Sequence, residues 1–172
     1  MAREEIVADI ISAAGGTLTA RVRLQKAAYF LEELGLGSGF EFEYHHYGPY
    51  SRELDSAIAD AKASKLIKEV INYRDSDGAS YSVFESVAAR QPTDLGRLRR
   101  AKAAGYLRRF GEANITVLEL AATMHWLWKH EKHHDWQKEA IRRKGLKASP
   151  DRIERAKALL NELGLHPKER AA

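Results

Sequence analysis

Residues 51–84, SRELDSAIADAKASKLIKEVINYRDSDGASYSVF, decide the fold class because they contain a helix signal followed directly by a hairpin signal. Ser51 is a preferred helix N-cap, and Glu53 in the first turn complements the helix dipole. Apolar residues then recur at helical spacing at Leu54, Ala57, Ile58 and Ala61. Two β-rich runs, 66–73 and 80–84, flank a turn that contains Asp77-Gly78. The stretch predicts a helix over 51–64 and then a β-hairpin.

Three elements are predicted before this stretch. Residues 3–14 carry apolar side chains at helical spacing and end at a Gly-Gly pair, and residues 20–34 repeat that spacing before Gly35. Residues 40–47 alternate apolar and polar side chains, as in a half-buried strand that Gly48-Pro49 breaks. The order helix, helix, strand, helix, hairpin resembles a winged helix, with 51–64 in the recognition-helix position and 74–79 at the wing tip.

The charges of this helix argue against conventional winged-helix DNA binding. A helix in the major groove needs donors for base edges and cations near phosphates. Residues 51–64 instead contain two cations against three carboxylates: Arg52 and Lys62 against Glu53, Asp55 and Asp60. We therefore expect a scaffold helix with a solvated acidic face.

Four more helices are predicted downstream, over 94–110, 116–130, 136–144 and 150–163. Thr116 and Glu119 form a capping-box pattern, while Ser149-Pro150 and Gly164 mark the ends of the last helix. The predicted fold is mainly α with a small β element (α+β), a winged-helix-like N-terminal unit with a β-hairpin and a C-terminal helical layer. We assign 1–90 to the helix-strand-helix-hairpin unit and 91–172 to a basic helical region packed with it as one domain.

Composition limits the location and chemistry of the 172-residue chain. It has no cysteine, which removes disulfides, thiolate ligands and a Cys nucleophile and is typical of a reducing cytosol. No apolar run approaches the roughly 18 residues of a membrane span, so we expect a cytoplasmic protein without membrane contact. Residues 1–90 carry 10 Lys/Arg against 14 Asp/Glu, net −4, and residues 91–172 carry 18 against 10, net +8. An anionic partner would be drawn to the C-terminal half.

His130-Glu131-Lys132-His133-His134 matches HExxH, in which two histidines one helical turn apart bind Zn²⁺ and the glutamate acts as general base. The charged surroundings fit an exposed helix end better than a desolvated metal cleft, and no third ligand has a recognisable spacing. A metal-dependent hydrolase is therefore less favoured than binding of a protein or of nucleic acid, the two hypotheses considered next. We predict no metal site, no catalytic residues and no cofactor.

Two further groups of residues are candidates for binding. A protein partner is expected to contact exposed aromatic and junction residues, here Tyr50, Arg52, Trp126, Trp128 and Trp136. Nucleic acid would need a convergent basic surface, and the candidates are Arg142, Arg143, Lys144 and Lys147, with a second basic set at Arg97, Arg99, Arg100, Lys102, Arg108 and Arg109. Both groups also fit ordinary core or solvated positions.

Two segments carry a family resemblance. RLQKAAYF at 23–30 resembles the LQK-x-x-Y helix, and YGPYSREL at 47–54 resembles the YGP junction, of YwgA-like proteins and the related Panacea (SocA-like antitoxin) domain. The resemblance covers roughly residues 1–90 and implies a helix-rich, non-enzymatic domain whose relatives neutralise a toxin by direct binding or by delivery to a protease. Its signature residues here are Leu24, Gln25, Lys26, Tyr29, Tyr47, Gly48, Pro49, Ser51 and Leu54, for which we expect a structural role. YGPYS and the basic, Trp-rich C-terminal region favour the YwgA-like branch.

The function expected from the sequence is that of a non-enzymatic protein-binding module, antitoxin-like or proteolytic-adaptor-like, in direct contact with a partner protein such as a toxin. The alternative is a nucleic-acid-binding regulator that uses the basic C-terminal half. The sequence leaves formation of a homo-oligomer open.

Overall fold

The computed structural model describes residues 1–168, which form two compact units. The first unit contains Met1–Phe42 and Tyr50–Glu112, and the second contains Glu43–Pro49 and residues 113–168. The predicted boundary between residues 90 and 91 falls inside the first unit. In chain order the elements are α1 (Arg3–Ala13), β1 (Thr17–Thr19), α2 (Arg21–Glu33), β2 (Glu43–His45), β3 (Gly48–Tyr50), α3 (Arg52–Ala63), β4 (Ile67–Tyr73), β5 (Ser80–Ser86), α4 (Arg100–Glu112), α5 (Ile115–Lys129), α6 (Trp136–Lys144), a 3₁₀ turn (Gly145–Lys147) and α7 (Pro150–Leu163).

The first unit has a winged-helix-like arrangement. Strands β1, β5 and β4 form an antiparallel sheet in that spatial order, so that β1 pairs with the second strand of the hairpin. Leu18, Ile67 and Phe84 are buried on one face of this sheet, while α1 packs against α3 and α2 against α4. Together with the helices of the second unit, this confirms the predicted helix-rich α+β fold class.

The second unit is built on α5, which packs against α6 and α7. Asn114, rather than Thr116, caps α5: its side-chain oxygen accepts hydrogen bonds from the Thr116 and Val117 amides at 2.9 and 3.2 Å. Glu119 does not reach back to that helix end, because it is buried against a lysine. The last helix has the predicted ends, with Ser149 as N-cap and Gly164 in the left-handed region.

Two predicted elements differ from the structure. The strand expected over 40–47 is replaced by two three-residue strands, β2 and β3, and Phe40 is buried outside them. The helix expected from residue 94 begins only at Arg100, because Leu95 and Leu98 form an isolated bridge. Gly96 makes that turn possible: φ is +52°, and a Cβ there would lie 2.2 Å from the Leu36 carbonyl oxygen.

No helix within residues 1–168 is long and apolar enough to cross a bilayer.

Candidate partner-binding surfaces

The predicted signature residues of α2 lie in the core of the first unit. Leu24, Gln25, Lys26 and Tyr29 are all buried, and the Tyr29 ring lies edge-on to the Phe42 ring at 5.4 Å. Burial raises the pKa of the Tyr29 hydroxyl far above its ordinary value, with a further contribution from Glu33. These residues are in the interior of the unit, where their contribution is to packing.

Gln25 connects α2 to the start of α3. Its amide donates to the Ser51 carbonyl at 2.9 Å and to Asp55 Oδ1 at 3.0 Å, and its amide oxygen accepts from the Ser51 amide at 2.9 Å. Ser51 also accepts from the Leu54 amide at 3.2 Å and so caps α3. The Tyr50 hydroxyl donates to Asp55, and this bond raises the pKa of Tyr50. Two predicted candidates, Ser51 and Tyr50, therefore take part in this corner, while Arg52 is exposed on α3.

The Gly-Pro junction belongs to the second unit. Gly48 has φ +89°, and a Cβ at this residue would lie 2.6 Å from Thr123 Oγ1 of α5. Gly48 and Pro49 are buried, whereas the preceding Tyr47 is 55% exposed. A side chain at residue 48 would meet both an unfavourable backbone and a steric clash.

Arg142 and Arg143, predicted to bind nucleic acid, are held by carboxylates of their own unit. Arg143 donates two hydrogen bonds of 2.8 Å to Glu131 and one of 2.8 Å to Glu139. Its guanidinium also lies 4.7 Å from the centre of the Tyr44 ring. Arg142 donates to both oxygens of Glu139 at 2.9 and 2.5 Å. Hydrogen bonds from Arg142 and Arg143 lower the pKa of Glu139 to about 2, so this carboxylate stays charged opposite both cations.

Lys144 and Lys147 share a second carboxylate, Glu119. Lys144 Nζ lies 2.9 Å from Glu119 Oε1 and 3.1 Å from the His46 carbonyl oxygen, and the two ion-paired side chains are 4% and 7% exposed. Lys147 is more exposed, lies 3.5 Å from the same oxygen and covers the Tyr47 ring at 5.1 Å. The structure thus brings the four predicted cations together around three carboxylates, which leaves little net positive charge at this place.

The second basic set differs. Arg97, Arg99, Lys102 and Arg108 are exposed, and none of these four side chains has a hydrogen-bonding or ion-pairing partner within residues 1–168. Three of them lie on α4 or at its first turn. Arg100, by contrast, donates to Ser12 at 2.9 Å and to the Thr93 carbonyl at 3.4 Å. Among the predicted basic residues, these four are the cations available to an anion.

The three tryptophans of the second unit are all half-buried. Trp126 stacks on His130 at 4.5 Å between ring centres and donates its indole N–H to Glu131 at 3.1 Å. Trp128 lies 6.2 Å from the His125 ring, and Trp136 lines a cavity of about 150 Å³ with Leu160 of α7. Each of the three tryptophans is therefore partly accessible to a partner.

Sequence reasoning missed two exposed apolar residues. Leu146 in the 3₁₀ turn is 97% exposed, and Ile141 is exposed on the helix that leads into that turn. Lys147, the next residue after Leu146, lies over the exposed Tyr47 ring. We call Tyr47, Ile141 and Leu146 the apolar patch. The only signal in the sequence was Leu146 between a glycine and a lysine after a basic run.

The HEKHH segment does not lie on one helix. His130 caps the end of α5, and Lys132 has φ +56°, so the i, i+4 spacing on which the zinc hypothesis depends is lost. Within residues 1–168, no group of three or more His, Asp or Glu side chains is placed to hold a metal.

Comparison with known proteins finds a partial similarity to an enzyme. No protein-family model matches the chain. Over 122 residues, or 67% of its length, it is 30% identical to a protein from Thermus aquaticus that is named as a DNA ADP-ribosyl glycohydrolase. The chain spans 32% of that relative's length. The prediction that the chain is not an enzyme is therefore wrong as it stands, because the similar protein is named as an enzyme.

Proposed function

We propose that this chain binds a partner protein directly, as an antitoxin-like or adaptor-like module, within a system that handles ADP-ribosylated DNA. The exposed apolar patch in the second unit carries the proposal. The name of the Thermus aquaticus relative supplies the chemical setting, and the proposed module would correspond to the third of that protein that this chain spans.

The apolar patch has the features of a contact surface for protein. A leucine side chain that is 97% exposed gains about 1.5–3 kcal/mol when a partner buries it. The cations beside it, Lys144 and Lys147, are already paired with Glu119. A polar rim around exposed apolar side chains is typical of protein interfaces, whereas a nucleic-acid surface needs unpaired cations.

The partner class follows from the chemistry in the relative's name. An enzyme that removes ADP-ribose from DNA acts on the product of an enzyme that attaches it. We therefore take a DNA-modifying ADP-ribosyltransferase as the partner to test first.

Titration of the immobilised chain with such a purified transferase tests the proposal. Leu146→Asp should weaken binding at least ten-fold, because a charge replaces the most exposed apolar side chain of the patch. Val87→Asp is the matched control, since Val87 is a half-exposed apolar residue of the first unit. Equal affinity of Leu146→Asp and the wild-type chain would contradict the proposal. An assay of ADP-ribose release from a modified oligonucleotide measures separately whether this chain has hydrolase activity.

A second candidate is binding of nucleic acid through Arg97, Arg99, Lys102 and Arg108. The observation in its favour is that these exposed side chains have no partner within residues 1–168. Contacts to phosphate release counterions, so the logarithm of affinity should fall with the logarithm of salt with a slope of about −3 for three to four contacts.

A further inference from the structure

The two outer strands of the β1-β5-β4 sheet differ in how much of their edge is open. The pairing shows which backbone groups face outward. At the two ends of β4, the backbone bonds to the β5 side: the Val87 amide donates to the Leu66 carbonyl at 3.2 Å, and the Arg74 amide donates to the Ala79 carbonyl at 2.9 Å. Because hydrogen-bonded and non-hydrogen-bonded pairs alternate along antiparallel strands, the backbone N–H and C=O groups of even-numbered β4 residues point to β5. Those of odd-numbered residues point away from it.

The outward groups of β4 belong to Ile67, Glu69, Ile71 and Tyr73. Within residues 1–168, no backbone or side-chain group donates to or accepts from their main chain on that side. The register from Ile67 to Tyr73 is continuous, without a bulge or a proline. Seven residues give an open edge of about 23 Å.

The opposite edge is shorter and partly closed. β1 has three residues, and the Thr19 carbonyl accepts from Arg23 Nε at 3.2 Å. Proteins commonly protect an edge in this way, with a short strand and a cationic side chain, because an open edge is a template for another strand.

The open edge also carries exposed apolar side chains. Ile71 is 50% exposed and Tyr73 is 68% exposed, both on the face of the sheet that buries Ile67 and Phe84. The only charged residues of β4 are Lys68 and Glu69, so the strand has no net charge. A second strand with the same sequence would therefore meet no excess of like charge.

We propose that β4 pairs with β4 of a second copy of this chain, antiparallel across a two-fold axis at Val70, to form a continuous six-stranded sheet. This register uses all seven residues of both strands and makes outward-facing residues pair with outward-facing ones. Lys68 then faces Asn72, Glu69 faces Ile71, and Ile67 faces Tyr73 of the other copy. No charged residue therefore faces a like charge. Two identical strands on a two-fold axis meet this condition by themselves, whereas a strand of another protein would need a matching sequence. The proposal is independent of the apolar patch in the second unit.

The absence of cysteine allows a direct test of this register. Val70 and its symmetry mate would form a pair without mutual hydrogen bonds, with Cα atoms about 4.5 Å apart, within disulfide range. Under mild oxidation, the full chain carrying Val70→Cys should form a disulfide-linked dimer on a non-reducing gel. Lys68→Cys is the matched control: it faces residue 72 of the other copy and should cross-link at least ten-fold more slowly.

Sedimentation of the cysteine-free chain tests the same interface without cross-linking. An edge pair buries little area, so the dimer should form reversibly in the micromolar range. Ile71→Pro removes an outward N–H but no bond to β5, and Ile71→Glu places a carboxylate opposite Glu69 of the other copy. Each should weaken dimerisation at least ten-fold, and a thermal melt checks that each variant folds. A wild-type chain that stays monomeric at about 100 µM, or equal cross-linking rates for the two cysteine variants, would overturn the proposal.

Discussion

The cations of α6 and its following turn behave differently from those of α4, although both sets come from the basic half of the sequence. Arg142, Arg143, Lys144 and Lys147 meet Glu119, Glu131 and Glu139. Arg97, Arg99, Lys102 and Arg108 meet no carboxylate within residues 1–168. Net charge along a sequence therefore does not locate an anion-binding surface, because carboxylates distant in sequence can neutralise a basic run.

The largest loss of folding free energy is expected at the most buried ion pair of the second unit, Glu119 and Lys144. Glu119→Ala would leave Lys144, whose side chain is 4% exposed, without its closest carboxylate. Removing one partner of a buried ion pair typically costs about 3–5 kcal/mol of folding free energy, which denaturant unfolding would measure. The double variant Glu119→Leu, Lys144→Met should recover most of this loss. A single variant that loses less than about 1 kcal/mol would show that the pair is not effectively buried.

Acid should neutralise the charge of another carboxylate that is paired within its own unit, Glu69 of the first unit. Burial tends to raise its pKa, but hydrogen bonds from Lys62, Ser82 and Arg21 outweigh this and lower it to about 2, against an ordinary 4.5. A depressed pKa in the folded state means stability that is present above about pH 4.5 and lost as pH falls through 2. At about 1.4 kcal/mol for each pKa unit, the contribution cannot exceed about 3.5 kcal/mol. Unfolding free energies of Glu69→Gln should fall less steeply than those of the wild type between pH 5 and 2.

The β2–β3 hairpin supplies part of the neutralised cluster, through the Tyr44 ring and the His46 carbonyl. Gly48→Val should strain its backbone and press on Thr123, at a cost of about 1–3 kcal/mol. A lower melting temperature would be the readout. Adding Thr123→Ala should restore only part of the loss, because φ at residue 48 stays positive. A melting temperature equal to that of the wild type would contradict the need for glycine here.

The smallest free-energy effect is expected for the exposed cations of the second basic set. The triple variant Arg99→Ser, Lys102→Ser, Arg108→Ser should weaken binding of a short DNA duplex about ten-fold. Its salt dependence should also flatten, because the slope falls by about 1 for each cation that no longer binds a phosphate. The control removes three exposed cations that have carboxylate partners: Arg142, Lys147 and Arg155. If the control loses as much binding as the α4 variant, the contrast between the two sets is wrong.

Local sequence signals predicted most elements but few of their contacts. Ser51, Ser149 and Gly164 mark helix ends in the structure because capping depends on residues close in sequence. The turn at Leu95 and Leu98 was missed because Gly96 lies against the Leu36 carbonyl, far away in the chain, and the Arg97 amide donates to that oxygen at 3.0 Å. The neutralised cations were missed for the same reason: Lys144 and Glu119 are 25 residues apart. The exposure of Leu146 follows from how a turn leaves its helix, which periodicity does not specify.

Gln25 and Ser51, whose main chain the Gln25 side chain binds, should tolerate mutation to different degrees. At Ser51 the Gln25 side chain binds main-chain atoms, which every amino acid except proline provides, so most substitutions there would cost the helix cap but keep these hydrogen bonds. At residue 25 the side chain must donate and accept simultaneously at a fixed reach. Asparagine is one methylene too short, and glutamate would turn the donor that faces Asp55 into a second negative charge. Residue 25 is therefore the end of this contact at which a single substitution would release the start of α3 from α2.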